Sequence, residues 1–583
     1  MPEYRAPLAD FEFLLHDWLN VSEHYAQIGK DDIDADLVNE IITQGARFAE
    51  SEVAPINQIG DQQGCTLKDG KVTTAEGFPQ AYQSYIENGW NAMLGSEEYG
   101  GQELPYSVAI PVHEMLVSAN VSWRLVCGLT ESAVLALEKH GSDELKETYL
   151  PNLISGEWTG TMNLTEPQAG SDLSLLTSKA EANDDGSYKI SGTKIFISGG
   201  DHEWTDNIIH LVLARLPDAP AGVKGISLFL VPKMLPDANG EFTIENDLSV
   251  GSIEHKMGLH GCPTCVMNFD GAKGWLIGAP HSGLACMFTM MNDARFQVGL
   301  QGTGIAEASY QGALTYAKER LQSRAPQGVQ QPDEKADAII HLPDVRRMLL
   351  TQKALTEGSR ALGLLYAKQV DIVRFGTEEE QAKAESIVAY LTPITKSFFT
   401  DMGQEVSQHG VQIFGGHGYI QEWGMEQLIR DSRITQLYEG TNGIQALDLI
   451  SRKLVRDGGR MLQNTAALFS DMINAIQNEA DKNMALEIQQ QWLAGSESLM
   501  SGDAFDTASR AYDYMQFCAY SLLAICWLSM KDRAAQTGND QLASSKAKTC
   551  DFYIKRLYPR ALMHKAALGD SGEDLAALSL EDF

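Results

Sequence analysis

The chain has 583 residues, 44% of them hydrophobic and 21% charged, with a formal net charge of -33 at pH 7. That length is too great for one hydrophobic core and predicts about three to four domains. The acidic surplus excludes a nucleic-acid binder, which needs a basic stripe to release counterions from phosphate, and it obliges any anionic ligand to find a local basic patch.

The first residues, Met1-Pro2-Glu3-Tyr4-Arg5, lack the basic start and apolar centre of a secretory signal, so a cytoplasmic protein is expected. From about Leu8 to Lys139 apolar residues fall mainly at helical spacing, as in Ile33, Leu37, Val38, Ile41 and Ile42, with a tight turn at Glu97–Gly101. After Gly156 the pattern shortens. Lys189–Ser198 predicts two short strands and a turn, and Ile208–Ala214 and Ile226–Val231 predict further strands. These make a small antiparallel barrel or sandwich running to about Leu276. Helical pattern returns from Phe288 to about Arg456, broken by a loop over Ala325–Pro343, and a last helical part starts near Leu462. No apolar run reaches membrane-spanning length. The stretch from Phe517 to Met530 carries Cys518, Ser521 and Ser529 and predicts a buried helix. Of eight cysteines only Cys262 and Cys265 are closely spaced, and a single CxxC predicts buried thiols rather than zinc.

Four segments carry chemistry. Thr161–Asp172 puts polar and small residues, with Ala169-Gly170-Ser171, where helices give way to strands. Such a segment either admits the backbone close to an oxygen-rich ligand or is a capped turn. Lys194–Gly200 offers the ring of Phe196 and the hydroxyl of Ser198 to a flat heterocycle, or else is a hairpin end with a core phenylalanine. Gln412–Tyr419 has glycines at 415, 416 and 418, which either approach a ligand or end a helix; it is not a dinucleotide fingerprint. Finally, Glu439 sits between a helical segment and a Gly-Thr turn. A carboxylate at such a break serves either as a base facing substrate or as an acid at a helix start.

In this order, and with Glu98-Tyr99-Gly100-Gly101 and Glu254–Gly258, these segments resemble the acyl-CoA dehydrogenase family over about Asp32 to Arg456. Length and C-terminal extension resemble the bacterial branch that includes 3-methylmercaptopropionyl-CoA dehydrogenases and long fatty acyl-CoA dehydrogenases. The resemblance implies a mainly α fold with a small central β domain. Its parts would be a helical N-terminal domain over 1–158, a β-barrel middle domain over 159–280, a four-helix-bundle domain over 281–456 and an extra helical domain over 457–583. It implies FAD bound between the β unit and the C-terminal helices, and oxidation of an acyl-CoA to a trans-2-enoyl-CoA. Glu439 matches the family base. Met162, Leu164, Thr165, Phe196 and Ser198 match positions around the flavin. Arg320 and Gln322 match contacts to the FAD pyrophosphate from a neighbouring subunit, Gln412 and Gly416 contacts to its adenosine half, and Thr441 a further FAD contact. Ser171, Arg295 and Gly440 match substrate-side positions. Phe196 stands where many members have Trp, Ser198 replaces a frequent Thr, and Gln322 another. The resemblance also implies electron-transferring flavoprotein as acceptor, while the extension implies a homodimer. An oxidase using O₂ and a non-catalytic acyl-CoA-binding protein are the alternative readings.

Overall fold

The computed structural model describes residues 2–501, 503–569 and 572–583, and its elements follow the order helices, strands, helices. Two compact units result, and neither is one continuous piece of chain. One comprises Phe48–Pro105 and Ala119–Gln297; the other comprises Met1–Arg47, Tyr106–Ser118 and Val298–Phe583. One long helix, α1 (Tyr106–His140), belongs to both. It breaks at Asn120, whose backbone is non-helical (φ -163°, ψ 94°) and whose side chain accepts from the N–H of Trp123 at 3.1 Å, capping the second half.

The unit containing residues 119–297 is built on a seven-stranded sheet. Its strands are β1 (Trp158–Asn163), β2 (Lys179–Ala182), β3 (Tyr188–Ser198), β4 (Asn207–Arg215), β5 (Ile226–Pro232), β6 (Leu248–Ile253) and β7 (Thr264–Ile277). β7 pairs with β3, β3 with β2, β2 with β4, β4 with β5 and β5 again with β7, so the sheet closes on itself as a barrel. Closure removes free edges from these strands. It is not wholly antiparallel: β1 runs parallel to β4, from Trp158 opposite Asn207 to Asn163 opposite Val212. β4 is buried on both faces. Val212 and Ala214 enter one core with Ile190, Ile197 and Phe229, while Ile209, Leu211 and Leu213 enter another with Leu150, Leu153 and Met287. That is why its sequence is a continuous apolar run.

Two local expectations are corrected. Lys189–Ser198 is one strand, not two with a turn. Gly192 is there for close approach, since a Cβ would lie 2.3 Å from the Ser178 hydroxyl. The N-terminal part also contains a hairpin, Thr66–Lys68 with Lys71–Thr73, turned by Asp69 (φ 51°) and Gly70 (φ 78°). Asp-Gly is a strong signal for such a turn.

The other unit is helical. Its main members are α2 (Gly283–Glu319, from Val298 onward), α3 (Pro343–Phe375), α4 (Glu378–Phe414) and α5 (Met425–Thr435). α2 and α4 cross at glycines: a Cβ on Gly302 would lie 2.2 Å from the Phe399 carbonyl oxygen. After the short α6 (Asn442–Leu447) come α7 (Arg460–Ala475), α8 (Glu479–Glu497), α9 (Ala511–Ala534) and α10 (Asp540–Phe552). α9 contains the expected buried stretch, with every residue from Tyr514 to Met530 buried. Tyr514 bonds Tyr390 of α4 at 2.8 Å, and the Trp527 indole donates to the Ala354 carbonyl of α3 at 3.0 Å. Among the described residues no helix is long and apolar enough to cross a membrane.

A buried charge cluster ties the ends of this unit together. The Arg360 guanidinium, 2% exposed, donates to Glu114 at 2.8 Å and to Asp10 and Glu307 at 2.6 Å each. Lys546 on α10 reaches Asp10 at 2.5 Å and Glu357 at 2.8 Å. Breaking one member of such a cluster strands the others without water, so it holds the N-terminal segment firmly to the last helices.

Candidate active site

Glu439 follows α5 on a turn that opens α6. Its φ is 54° and that of Gly440 is 84°, so two consecutive residues are left-handed. For a glutamate that conformation costs about 1–3 kcal/mol and persists only where the surroundings enforce it. The surroundings here are specific. The Gln445 amide donates to the Glu439 carbonyl at 3.0 Å, and the buried Lys396 ammonium donates to the Gly440 carbonyl at 2.8 Å. Thr441 caps α6 by accepting from the N–H of Ile444. The Gly-Thr turn therefore does start a helix, but the acid stands outside the helix, half-buried, and Thr441 is the cap. Gly440 suits this turn because its φ favours glycine.

On the same unit lie the positions matched to the FAD phosphates and adenosine. Arg320 and Gln322 are exposed at the end of α2, on the loop to α3. That loop is held by Asp337. Its carboxylate accepts the N–H groups of Ala325, Gln330 and Gln331 and pairs with Arg324, and these donors, Ala325 first, hold its carboxyl down at about 2. Gln322 donates its N–H to the Asp337 carbonyl at 3.0 Å, and the next residue, Ser323, is again left-handed (φ 63°). Gln412 is exposed at the end of α4, and Gly416 follows with open space where a Cβ would stand. Tyr316 stacks on Phe414 at 4.1 Å and bonds His417 at 2.8 Å. This brings the Gln412–Gly416 turn beside the helix end that carries Arg320.

In the barrel unit, Met162 and Leu164 share one face by strand alternation, while Thr159, Thr161 and Asn163 occupy the other. The Lys194 ammonium donates to the Leu164 carbonyl at 3.0 Å and to Glu166 at 2.8 Å. Glu166 also accepts from the Ser178 hydroxyl at 2.6 Å and from the N–H of Thr177 at 2.8 Å. Burial alone would push Glu166 up; the Lys194 charge and these donors outweigh it and hold the carboxyl at about 2. Burial brings Lys194 down to about 8, with Glu166 opposing, so the pair is ionised at neutral pH. Ile195 donates its N–H to the Thr165 carbonyl at 2.9 Å, which sets Leu164 and Thr165 beside the end of β3. There Phe196 has φ 60° and is 59% exposed. An aromatic ring held in a strained backbone and left uncovered is not core. Ser198 follows, half-buried, paired with Thr264 across the ladder and beside Cys262, whose thiol burial raises. Ser171 is exposed on the turn before Asp172, which caps the next short helix. Arg295 lies over the Phe288 ring at 5.7 Å and bonds Asn292 at 3.2 Å.

Sequence reasoning missed the residues behind these groups: Lys194 and Glu166 as a pair, and Lys396, Asp401, Gln445 and Asp337. Lys194 and Glu166 stand inside two of the segments that carry chemistry, Lys194–Gly200 and Thr161–Asp172. Lys396 and Asp401 left one trace, two charges in an otherwise uncharged helical run.

The barrel unit offers an uncovered aromatic ring, Phe196, and the helical unit a strained, braced carboxylate, Glu439, features expected of an enzyme class. Comparison with known proteins gives the class its name. The acyl-CoA dehydrogenase N-terminal, middle and C-terminal domains match residues 38–157, 161–272 and 281–454, and an acetyl-CoA dehydrogenase C-terminal-like domain matches 461–579. The sequence is 42% identical to 3-methylmercaptopropionyl-CoA dehydrogenase of Ruegeria pomeroyi, over 99% of this chain and 100% of that one. It is 35% identical to a butyryl-CoA dehydrogenase of Syntrophomonas wolfei over 80% and 78% of the two chains. Among solved structures, Caenorhabditis elegans ACDH-11 in complex with C11-CoA shares the fold, with a TM-score of 0.78 over 96% of this chain and 92% of that one at 19% identity. The chain belongs to the acyl-CoA dehydrogenase family and is an FAD-dependent oxidoreductase.

Proposed function

We propose that the enzyme converts a short, unbranched acyl-CoA, 3-methylmercaptopropionyl-CoA first among them, to its trans-2-enoyl thioester with Glu439 as base. The observation that carries this reading is the left-handed Glu439, braced from Lys396 and Gln445 yet standing outside the helix it precedes. The substrate class rests on the full-length likeness to the Ruegeria pomeroyi enzyme and the likeness to a butyryl-CoA dehydrogenase.

The residues present suit FAD. Phe196 and Ser198 offer an uncovered ring and a hydroxyl, with Met162, Leu164 and Thr165 beside them. Arg320 and Gln322 are exposed donors for phosphate, Gly416 has room for close backbone approach, and Gln412 and Thr441 complete the set. When bound, FAD accepts the hydride that leaves Cβ. The chain does the rest. The backbone N–H of Glu439 donates to the thioester carbonyl oxygen, which acidifies the α-proton; one such donor is worth roughly 10²–10³ in rate. The Glu439 carboxylate then takes that proton. Ser171, Arg295 and Gly440 hold the substrate. The electron acceptor is electron-transferring flavoprotein, and the working form is a cytoplasmic homodimer.

Glu439→Gln should keep FAD and its yellow colour and lose turnover by about 10²–10⁴-fold, the usual worth of a positioned base. Substantial residual turnover would remove Glu439 from the role. A panel of acyl-CoA thioesters with a dye acceptor should give the highest kcat/KM with 3-methylmercaptopropionyl-CoA or butyryl-CoA; a maximum at long chains would overturn the substrate assignment.

A further inference from the structure

Asp401 lies on α4, and its carboxylate accepts three side-chain amides. The Gln436 amide reaches Oδ1 at 2.7 Å, the Asn442 amide reaches the same oxygen at 2.7 Å, and the Gln516 amide reaches Oδ2 at 2.9 Å. Gln436 and Asn442 stand on either side of Glu439, so a single carboxylate holds both ends of the turn that carries it. Asn442 is held further. Its amide donates to the Ser397 carbonyl and the Thr400 hydroxyl, and its oxygen accepts from Lys396, which also holds the Gly440 carbonyl. Asn442 also donates its N–H to the Gln436 carbonyl at 3.1 Å, closing the turn. The third amide comes from elsewhere. Gln516 is on α9, in the extra C-terminal helices, and is itself 4% exposed.

We infer that Asp401 is a positioning residue for the base, and that the C-terminal helices take part in catalysis by fixing Asp401 through Gln516. This rests on Glu439 being the base. The physical reason is that a strained φ holds only while its neighbours over-determine it. With the Asp401 bonds gone, the turn can relax and Glu439 drifts from its aim, and a misplacement of about 1 Å costs about 100-fold in rate. The three amides belong to Gln436, Asn442 and Gln516, none of which is among the residues matched to FAD.

The test uses the FAD-loaded enzyme, mixed anaerobically with 3-methylmercaptopropionyl-CoA or butyryl-CoA, whichever the wild type reduces faster. Asp401→Asn should slow flavin bleaching about 10- to 100-fold. FAD content and the substrate concentration giving half-maximal bleaching rate should stay near wild type. Gln516→Met, which keeps the side-chain volume, should slow bleaching several-fold, and Asp401→Glu should recover part of the Asp401→Asn loss. The double variant Asp401→Asn/Gln516→Met should be no slower than Asp401→Asn alone, because the two bonds act in one chain. Wild-type bleaching in Asp401→Asn would overturn the positioning role and in Gln516→Met the part given to the C-terminal helices, and a rate loss that tracks lost FAD or lost thermal stability would overturn both. Glu439→Gln in parallel separates the two claims: if that variant still turns over, the base assignment fails; if it is inactive while Asp401→Asn is normal, only the positioning role fails.

Discussion

The two units hold their proposed site residues by different means. In the barrel, the segment with Leu164 and Thr165 is pinned by a buried ion pair, Lys194 with Glu166, reinforced by Ser178 and Thr177. In the helical unit, the Glu439 turn is held by neutral amides converging on one carboxylate, with the Lys396 ammonium on the Gly440 carbonyl. The ion pair resists displacement but tolerates no missing partner. The amide cluster loses bonds one at a time, so its failure shows in aim before it shows in stability. Both units nonetheless use the same local device, a left-handed non-glycine residue at a proposed site position, Phe196 in one and Glu439 in the other.

The largest effect should come from breaking the ion pair. Lys194→Met leaves Glu166, 3% exposed, without its cation, and a buried pair broken from one side costs about 3–5 kcal/mol. Thermal unfolding should show that loss together with weakened FAD retention. Gln516→Met should move thermal stability far less while slowing flavin reduction, and equal stability losses in the two variants would erase the contrast.

Acid should separate the units next. His202 and His210 lie fully buried in the barrel unit, bonded to Thr159 and Thr161, and burial first, then Lys233, brings both down to about 3. Their folded values lie below the unfolded one. The stability they contribute is therefore present above about pH 6.5 and is lost as pH falls toward 3, because the unfolded chain takes up the protons first. Hydrogen exchange of β4 amides should quicken between pH 6.5 and 5, and His210→Gln should flatten that trend. A β4 exchange profile free of excess acid dependence would count against this account.

The smallest effect concerns Phe196. Glycine accepts φ 60° without strain, and the exposed ring buries little, so Phe196→Gly should raise the stability of the FAD-free protein by about 0.5–1 kcal/mol. The same change should weaken FAD binding. A stability loss without weaker FAD binding would make Phe196 ordinary structure.

Much of this was legible where the signal is local. The turn at Glu439, the glycines after Phe414 and the strand bearing Phe196 each announce themselves within about ten residues, as continuous segments do. The supports were not legible, because they are distant. Asn442 meets Asp401 across 41 residues and Gln516 meets it across 115. The parallel pairing of β1 with β4 was hidden for the same reason, since a strand's own pattern does not name its partner. The Asp69-Gly70 hairpin was a different case: the signal stood in the sequence, and the helical periodicity around it obscured it.

The bridge from Asp10 to Lys546 bears on how the enzyme is made. The two residues are 536 positions apart in the chain. At about 5–20 residues per second, a ribosome needs roughly half a minute to two minutes to supply Lys546 after Asp10 has emerged. Arg360, which meets Asp10 and lies over the Phe11 ring, is supplied earlier, so the N-terminal segment gains part of its native setting before the last helices exist and the rest only with them. Shortening the chain before Lys546 should therefore leave Asp10 with Arg360 alone, and the N-terminal segment of such a chain should be cut by protease sooner than that of the full chain.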